Sequence, residues 1–464
     1  MNRLSVIVLA AGLGTRMKSS LAKVLHPVAG RPMVLNVIEN ILSLEPDNVV
    51  AVVGHQAEKV RALLPDGVES AVQEEQLGTA HAAMTGLSGI SDAEGTLLLV
   101  SGDTPLIDSG TFRRLIELHE DRGAGVTILT ARLADPTGYG RIIRDTSGNV
   151  SRIVEQKDAS EDERAVDEIN AGTYCFNIAT LRSALSEVRS ENAQREFYLT
   201  DVAAIVSGRG GKVLGMVHDS AEDVLGINSR NDLAKAEKIL RGRINSALMT
   251  SGVTLTDPDT TYISPEVKIG RDTVVHHGNY IHGRTIIGEG CTLMPGNIIE
   301  NCSVADGVTI KGYSVLTSSE IGEGASVGPF AHVRPGSLIG KRAKVGNFVE
   351  LKKAILGEGA KASHLSYLGD ADIGADVNIG AGTITCNYDG YSKYRTVIED
   401  GVFVGSDSQF VAPVRVGKNA VIAAGTTVTE DVPEDSLALA RTPQTNREGW
   451  AKRRKLKHSK RQAD

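Results

Sequence analysis

The stretch IGEGASVGPFAHVRPGSLIGKRAKVGNFVEL, Ile321 to Leu351, places an aliphatic residue at every sixth position: Ile321, Val327, Val333, Ile339, Val345 and Leu351. A helix repeats its apolar face every 3.6 residues and a half-buried strand every two, so a sustained period of six is neither. It specifies a solenoid of short parallel strands with turns between them. The same spacing runs through Ile269, Val275, Ile281, Ile287, Leu293 and Ile299, and again through Val404, Phe410, Val416, Ile422 and Val428. Glycine follows the aliphatic residue at Ile269, Ile287, Ile321, Ile339, Ile373, Ile379 and Val416, which supplies the corners of a hexapeptide β-helix. Spacing does not set the hand of the coil, and the ordinary crossover rule favours right-handed turns. The repeat breaks after Ile379, at GAGTITCNYDGYSKYRTVI. An insertion there is expected to project from the prism, where loops on a rigid scaffold commonly carry ligand chemistry.

Upstream, from residue 1 to about 230, strand-like runs (SVIVLAA, NVVAVVG, GTLLLVSGD) alternate with helical ones (MVLNVIENILSL, GTAHAAMTGL). That alternation predicts an α/β domain with a largely parallel sheet, whose ligands sit beyond the carboxyl ends of the strands. SRNDLAKAEKILRGRINSALMTSG, Ser229 to Gly252, spaces Leu233, Ile239, Leu240, Ile244 and Leu248 among charges. It predicts one long connecting helix capped by Ser229 or Asn231. The expected organisation is thus residues 1–229, a linker helix over 230–251, and a β-helix with a basic tail over 252–464.

With 464 residues the chain accommodates two or three domains with their own cores, which argues against a single small binding module. Aromatic residues are only 4% while glycines number 50, as expected of repetitive turns rather than a large aromatic core. A net charge of −7 argues against a general nucleic-acid binder. Cys175, Cys291, Cys302 and Cys386 form no CxxC pair, which suits free thiols in the cytoplasm. Arg3 precedes an apolar run ending near Ala10 and Ala11, but the run is short and strand-helix patterning follows directly, against a signal peptide. No later stretch is long enough to insert stably in a membrane. The tail WAKRRKLKHSKRQAD holds seven Lys and Arg between Lys452 and Arg461. It is open to reading as a disordered solubilising tail or as a segment lying across a neighbouring subunit to hold phosphates. Without interleaved aromatics, nucleic-acid binding is disfavoured.

The first strand runs into a glycine turn, VIVLAAGLGTRMKSSLAKVL, Val6 to Leu25. Met17 stands where a dinucleotide fingerprint needs its third glycine, and Gly14-Thr15-Arg16 replaces the Gly-Lys-Ser/Thr of a Walker loop. Unhindered amides beside Arg16, Lys18 and Lys23 still suit a polyphosphate. Asp103, ending GTLLLVSGD, stands where a carboxylate holds Mg²⁺, although a strand-end Asp also serves as a helix cap.

The motifs LAAGLGTRMKSSLAKVL, QLGTAHA, SGDTPL, GYGRI, EQKD and EINAG, followed by RPGSLIG, GNFVELKKA, SHLSYLGDADIG and NIGAGTITCNYDG, run in order along the chain. In these the chain resembles, over essentially its full length, the bacterial bifunctional enzymes that fuse an N-acetylglucosamine-1-phosphate uridylyltransferase to a glucosamine-1-phosphate N-acetyltransferase. The resemblance implies an α/β Rossmann-like nucleotidyltransferase domain, a linker helix and a left-handed parallel β-helix that forms a homotrimer. It implies that UDP-N-acetylglucosamine is made from glucosamine-1-phosphate, acetyl-CoA and UTP, by way of N-acetylglucosamine-1-phosphate. For uridylyl transfer it implies Mg²⁺ held by Asp103 and Asn228, the nucleotide cradled by Leu9, Ala10, Ala11, Gly12 and Gly14, phosphate charge countered by Arg16 and Lys23, uracil and ribose met by Gln73, Gly78 and Thr79, and sugar met by Gly140, Glu155 and Asn170. Tyr139 and Glu168 are expected to be structural neighbours.

For acetyl transfer it implies His364 as the base that deprotonates the amine, with Arg334, Lys352, Tyr367, Asn378 and Lys393 on the sugar phosphate. Acetyl-CoA falls to Ala381, Asn387, Tyr388, Ser406, Ala424 and Arg441. Direct attack on the thioester needs no acyl-enzyme, so Cys386 is expected to be a packing residue. Two rivals remain at this point: a pyrophosphorylase of single activity with a structural β-helix, and a nucleotide-sensing scaffold without turnover.

Overall fold

The computed structural model describes residues 3–91 and 93–461. Its contacts divide the chain into two compact units between Ile244 and Asn245. In the first unit the strands lie in the order Val213–Val217, Val126–Arg132, Glu168–Asn177, Thr96–Ser101, Leu4–Ala10, Asn48–Val53, Val68–Val72. Neighbours are parallel except at Glu168–Asn177, which runs antiparallel to both of its flanking strands. The inner strands are continuous apolar runs because both faces are covered. Val6, Val8 and Ala10 point into one core with Met33, Val37, Phe112 and Leu115. Ile7, Val50 and Leu97 point into another with Ala80, Leu181 and Val202.

From Leu4–Ala10 the chain moves to Asn48–Val53 and Val68–Val72 on one side, then returns to Thr96–Ser101 on the other. A crevice forms at such a reversal, beyond the carboxyl ends of the strands, here Ala10 and Ser101. No α-helix follows the glycine turn directly. Two 3₁₀ turns, Thr15–Met17 and Lys23–Leu25, come first, and the first α-helix is Met33–Leu42. Gly14 has φ 62°, and a Cβ on it would lie 2.5 Å from the Lys23 Cβ. Only glycine therefore lets the turn fold back against Lys23.

The long helix spans Arg230–Thr250. Of the two candidate caps the structure uses Ser229: the Asp232 N–H donates to Ser229 Oγ (3.2 Å) and the Ser229 N–H to Asp232 Oδ2 (2.8 Å), a reciprocal capping box. Leu233, Ala236, Ile239 and Leu240 pack on the first core.

The second unit is a β-helix of three faces. Val275, Leu293 and Ile310 point inward from the first face, Ile281, Ile299 and Leu316 from the second, and Ile287, Val304 and Ile321 from the third. Each such fully buried aliphatic side chain contributes about 1.5–3 kcal/mol. From Val274 to Ile373 successive coils pair in parallel register 17 or 18 residues apart, as in Val275↔Leu293 and Leu293↔Ile310. The shorter step falls at the corner between second and third faces, where Ile299 is followed by Val304 and Leu316 by Ile321. The insertion springs from that same corner, between Ile384–Cys386 and Thr396–Ile398. There the inward position is Thr385, whose Oγ accepts from the Gly369 N–H (2.8 Å) and donates to the Gly369 carbonyl (2.9 Å). Strands Lys344–Lys352 and Lys361–Gly369 run unbroken round the corner between the first two faces. The basic tail is helical over Trp450–Arg461 rather than disordered, with the Arg454 guanidinium 5.1 Å from the Trp450 ring centroid.

Candidate functional site

The cleft of the first unit opens at the crevice between Ala10 and Ser101. Leu9, Ala10, Ala11, Gly12, Lys23, Gln73, Gly78, Thr79 and Asp103 line it, joined by Gln76, Ser101 and Glu196, which sequence reasoning did not select. Nothing lies within 4 Å of the position a Gly12 Cβ would take, so the backbone there faces open space. The Lys23 ammonium forms an ion pair with Asp103 Oδ2 and donates to Asn228 Oδ1 (2.8 Å). Asn228 is aimed by its own amide, which donates to the Gly226 carbonyl (3.0 Å), and the Ile227 N–H donates to the Asp103 carbonyl (2.9 Å). Residues far apart in sequence thus present a carboxylate and a carboxamide oxygen to one positive charge. Two hard oxygen donors already gathered round a cation fit Mg²⁺. Among the described residues no group of three or more His, Cys, Asp or Glu could hold a metal ion. A divalent ion at this pair would therefore take its remaining oxygens from phosphates and water.

Gly140, Glu155 and Asn170 also converge. The Asn170 N–H donates to the Gly140 carbonyl (2.9 Å), and a Cβ on Gly140 would come within 3.5 Å of the Glu155 carboxylate. Burial pushes the Glu155 carboxyl above its ordinary value, against the Thr200 hydroxyl that donates to it (3.2 Å). The Asn170 amide is oriented locally, donating one hydrogen to Tyr174 Oη (2.6 Å) and accepting from the Gly172 N–H (3.0 Å), which leaves a second hydrogen and a second lone pair. Glu168 is structural, taken up by Arg144 (2.6 Å) and Thr130 (2.8 Å). Burial raises the Tyr139 phenol, the Asp232 and Asp103 carboxylates add to the rise, and the Arg16 guanidinium opposes it.

In the second unit His364 is exposed on the unbroken corner strand. Its Nδ1–H donates to Asn347 Oδ1 (2.6 Å), its register partner one coil earlier, which leaves Nε2 with the lone pair. Lys352, Asn387 and Lys393 gather round Asp370: Lys352 Nζ is 3.8 Å from Asp370 Oδ2, and the Asn387 amide donates to the same oxygen. The neighbouring Lys352 ammonium pushes the Lys393 amine below its ordinary value. The Tyr367 ring lies back over Gly369, where a Cβ would meet its hydroxyl at 2.5 Å. Arg334, one coil below Lys352, donates to Glu350 Oε1 (2.9 Å). Two ammoniums and a guanidinium on adjacent coils are a set of charges suited to a phosphate monoester. Asn378 is not in that group, because its register partners are Lys361 and Phe403 on the first face. Tyr388 donates to the Gly390 carbonyl (2.6 Å) within the inserted hairpin.

The predicted cofactor residues stack coil upon coil. The Asp407 N–H donates to the Ala381 carbonyl (2.7 Å), the Gly425 N–H to the Ser406 carbonyl (2.9 Å), and Arg441 to the Ala424 carbonyl (2.6 Å). At this corner a bulky ridge of Tyr313, Phe330, Phe348 and Leu365 gives way to Gly382, Asp407 and Gly425. The change from large apolar to smaller residues falls one coil past His364. Asn347, Asp370 and Glu350 escaped the sequence reading because their partners lie 16 to 18 residues away, one coil, a distance no local motif spans.

Residues 5–230 match the Nucleotidyl transferase family, residues 260–344 the GMPPB C-terminal domain, and residues 395–430 the Bacterial transferase hexapeptide (six repeats) family. The chain is 52% identical over 448 residues to the Bifunctional protein GlmU of Trichlorobacter lovleyi, covering 96% of this chain and 97% of that one. It is 52% identical over 459 residues to the protein of the same name from Pelobacter propionicus (98% and 100% covered), and 50% identical over 460 residues to that from Brevibacillus brevis (99% and 100%).

Proposed function

Because the chain belongs to the GlmU family of bifunctional proteins, we propose an assignment of its chemistry to residues: uridylyl transfer over 1–229, a linker helix over 230–251, and acetyl transfer over 252–464. The chain is a bifunctional enzyme of UDP-N-acetylglucosamine synthesis. The observation that carries the assignment is the convergence of Asp103, Asn228 and Lys23 beside the glycine turn.

In uridylyl transfer a phosphate oxygen of N-acetylglucosamine-1-phosphate attacks the α-phosphorus of UTP and the bond to pyrophosphate breaks. The nucleophile is already anionic, so positioning and charge neutralisation suffice. Mg²⁺ bound at Asp103 and Asn228 would supply charge neutralisation between the phosphates. Lys23, released from the carboxylate, and Arg16 meet phosphate oxygens, while the backbone from Leu9 to Gly14 leaves the nucleotide room. Gly140, Glu155 and Asn170 hold the sugar.

In acetyl transfer the neutral amine of glucosamine-1-phosphate attacks the acetyl-CoA carbonyl, its proton passes to His364 Nε2, and the C–S bond breaks to release CoA. Lys352, Lys393 and Arg334 hold the phosphate. The small-residue corner takes the extended cofactor arm, and Arg441 answers its phosphate. The ridge of stacked rings, with centroids 5.7 and 5.4 Å apart, is a surface for further copies of this chain, which we assign to a homotrimer. We place the enzyme in the cytoplasm, where its four free thiols stay reduced. No described helix is long and apolar enough to cross a membrane.

The test gives purified protein glucosamine-1-phosphate, acetyl-CoA, UTP and Mg²⁺, and follows CoA, pyrophosphate and UDP-sugar. Asp103→Ala abolishes pyrophosphate release and spares CoA release, whereas His364→Ala abolishes CoA release yet still releases pyrophosphate when N-acetylglucosamine-1-phosphate is supplied directly. Coupled loss in a folded variant would refute the assignment to separate sites.

A further inference from the structure

Gln73 lines the cleft with only 4% of its surface exposed, and its amide is held at one end. Nε2 donates to the Gly78 carbonyl at 3.2 Å. A backbone carbonyl only accepts, so this contact fixes which end of the amide is nitrogen. The second neighbour is His81 Nδ1, 3.0 Å from the same nitrogen. With Nε2 already identified as the donor, His81 Nδ1 accepts, and its ring carries the proton on Nε2. Both amide hydrogens are then engaged, and Oε1 is the atom left to face the cleft.

We infer that His81 is a positioning residue for base selection: by taking the second hydrogen of the Gln73 amide it holds Oε1 toward the base as a fixed acceptor. The inference rests on reading this cleft as the UTP site. A fixed acceptor favours the N3–H of uracil and meets the N3 lone pair of cytosine with repulsion. Flipping the amide to suit cytosine would set Oε1 against the Gly78 carbonyl and the His81 Nδ1 lone pair. Gly78 cannot move aside to permit this. It has φ 115°, and a Cβ on it would lie 2.5 Å from the Phe197 carbonyl, so its backbone is held between the helix Thr79–Leu87 and Phe197. His81 does not touch the base in this scheme; it acts through Gln73.

The experiment measures kcat and KM for UTP and for CTP with saturating N-acetylglucosamine-1-phosphate, in the full chain and in His81→Ala, His81→Asn and His81→Lys. His81→Ala is expected to raise the KM for UTP and to narrow the UTP-to-CTP ratio of kcat/KM by about tenfold, the scale of one hydrogen bond, with kcat for UTP little changed. Asn retains an acceptor and restores most of the ratio, whereas donor-only Lys does not. Equal losses for both nucleotides, or an unchanged ratio in Asn and Lys alike, would overturn the positioning role. A wild-type chain that uses UTP and CTP equally well would overturn the base-reading premise itself, an outcome distinct from selective variants of a selective enzyme.

Discussion

The base role proposed for His364 requires the lone pair on Nε2, and the group that arranges this is Asn347, which accepts from Nδ1 at 2.6 Å. Asn347→Leu should lower kcat for acetyl transfer by about ten- to a hundredfold, part of the usual worth of general base catalysis. KM for glucosamine-1-phosphate and uridylyl transfer should hold. Asn347→Asp keeps an acceptor and should keep most of the rate. Equal rates in Leu and Asp variants, measured by CoA release, would remove Asn347 from the mechanism. At this scale the sequence was legible where function sits inside one motif. Gly12, Gly14 and Lys23 share one short segment, and Asp103 lies in the turn that follows strand Thr96–Ser101. It was opaque where a partner lies one coil away, as for Asn347 and Asp370, or where a side chain's use depends on its rotamer, as for His81.

An element shows what its surroundings allow, and helix Ser109–Asp121 shows it through His119. The ring is 4% exposed and shares a hydrogen bond with Thr127 Oγ (3.0 Å), so burial lowers its pKa from 6.5 to about 4. A depressed histidine is carried neutral in the fold, so its contribution is fully present above pH 6.5. It is lost as the pH falls from 6.5 towards 4, where the unfolded chain takes up a proton that the folded chain refuses. The loss amounts to ~3 kcal/mol at most. Calorimetric unfolding between pH 7 and pH 4 should show His119→Gln losing less stability on acidification than the wild type, and parallel curves would refute the linkage. The elements themselves were largely legible. Period six survives translation into strands because each coil repeats the same three corners. The run of sixes between Ile299 and Ile321 was broken because the coil loses a residue at the corner between its second and third faces. The antiparallel strand Glu168–Asn177 was not legible, since a strand buried on both faces looks the same in either direction.

At the scale of the whole molecule, the exposed ridge poses the remaining question. Tyr313, Phe330 and Phe348 stack with planes 10° and 8° apart, and Leu365 continues the line, yet they are 61%, 48%, 55% and 60% exposed. All four take the left-handed backbone conformation, φ 59°, 55°, 57° and 46°, which disfavours such side chains. Apolar rings held outward at four successive corners suit burial against another chain far better than contact with water. The ridge ends beside His364, so a copy docked on it would also shelter the base from solvent. Phe330→Glu combined with Phe348→Glu places two carboxylates on that ridge while leaving the inward aliphatic ladder intact. Light scattering should then find single chains in place of three. Acetyl transfer should fall steeply, with uridylyl transfer, whose proposed residues all lie in the first unit, close to wild type. A variant that still assembles as a trimer with full acetyl transfer would place the interface on another face of the β-helix.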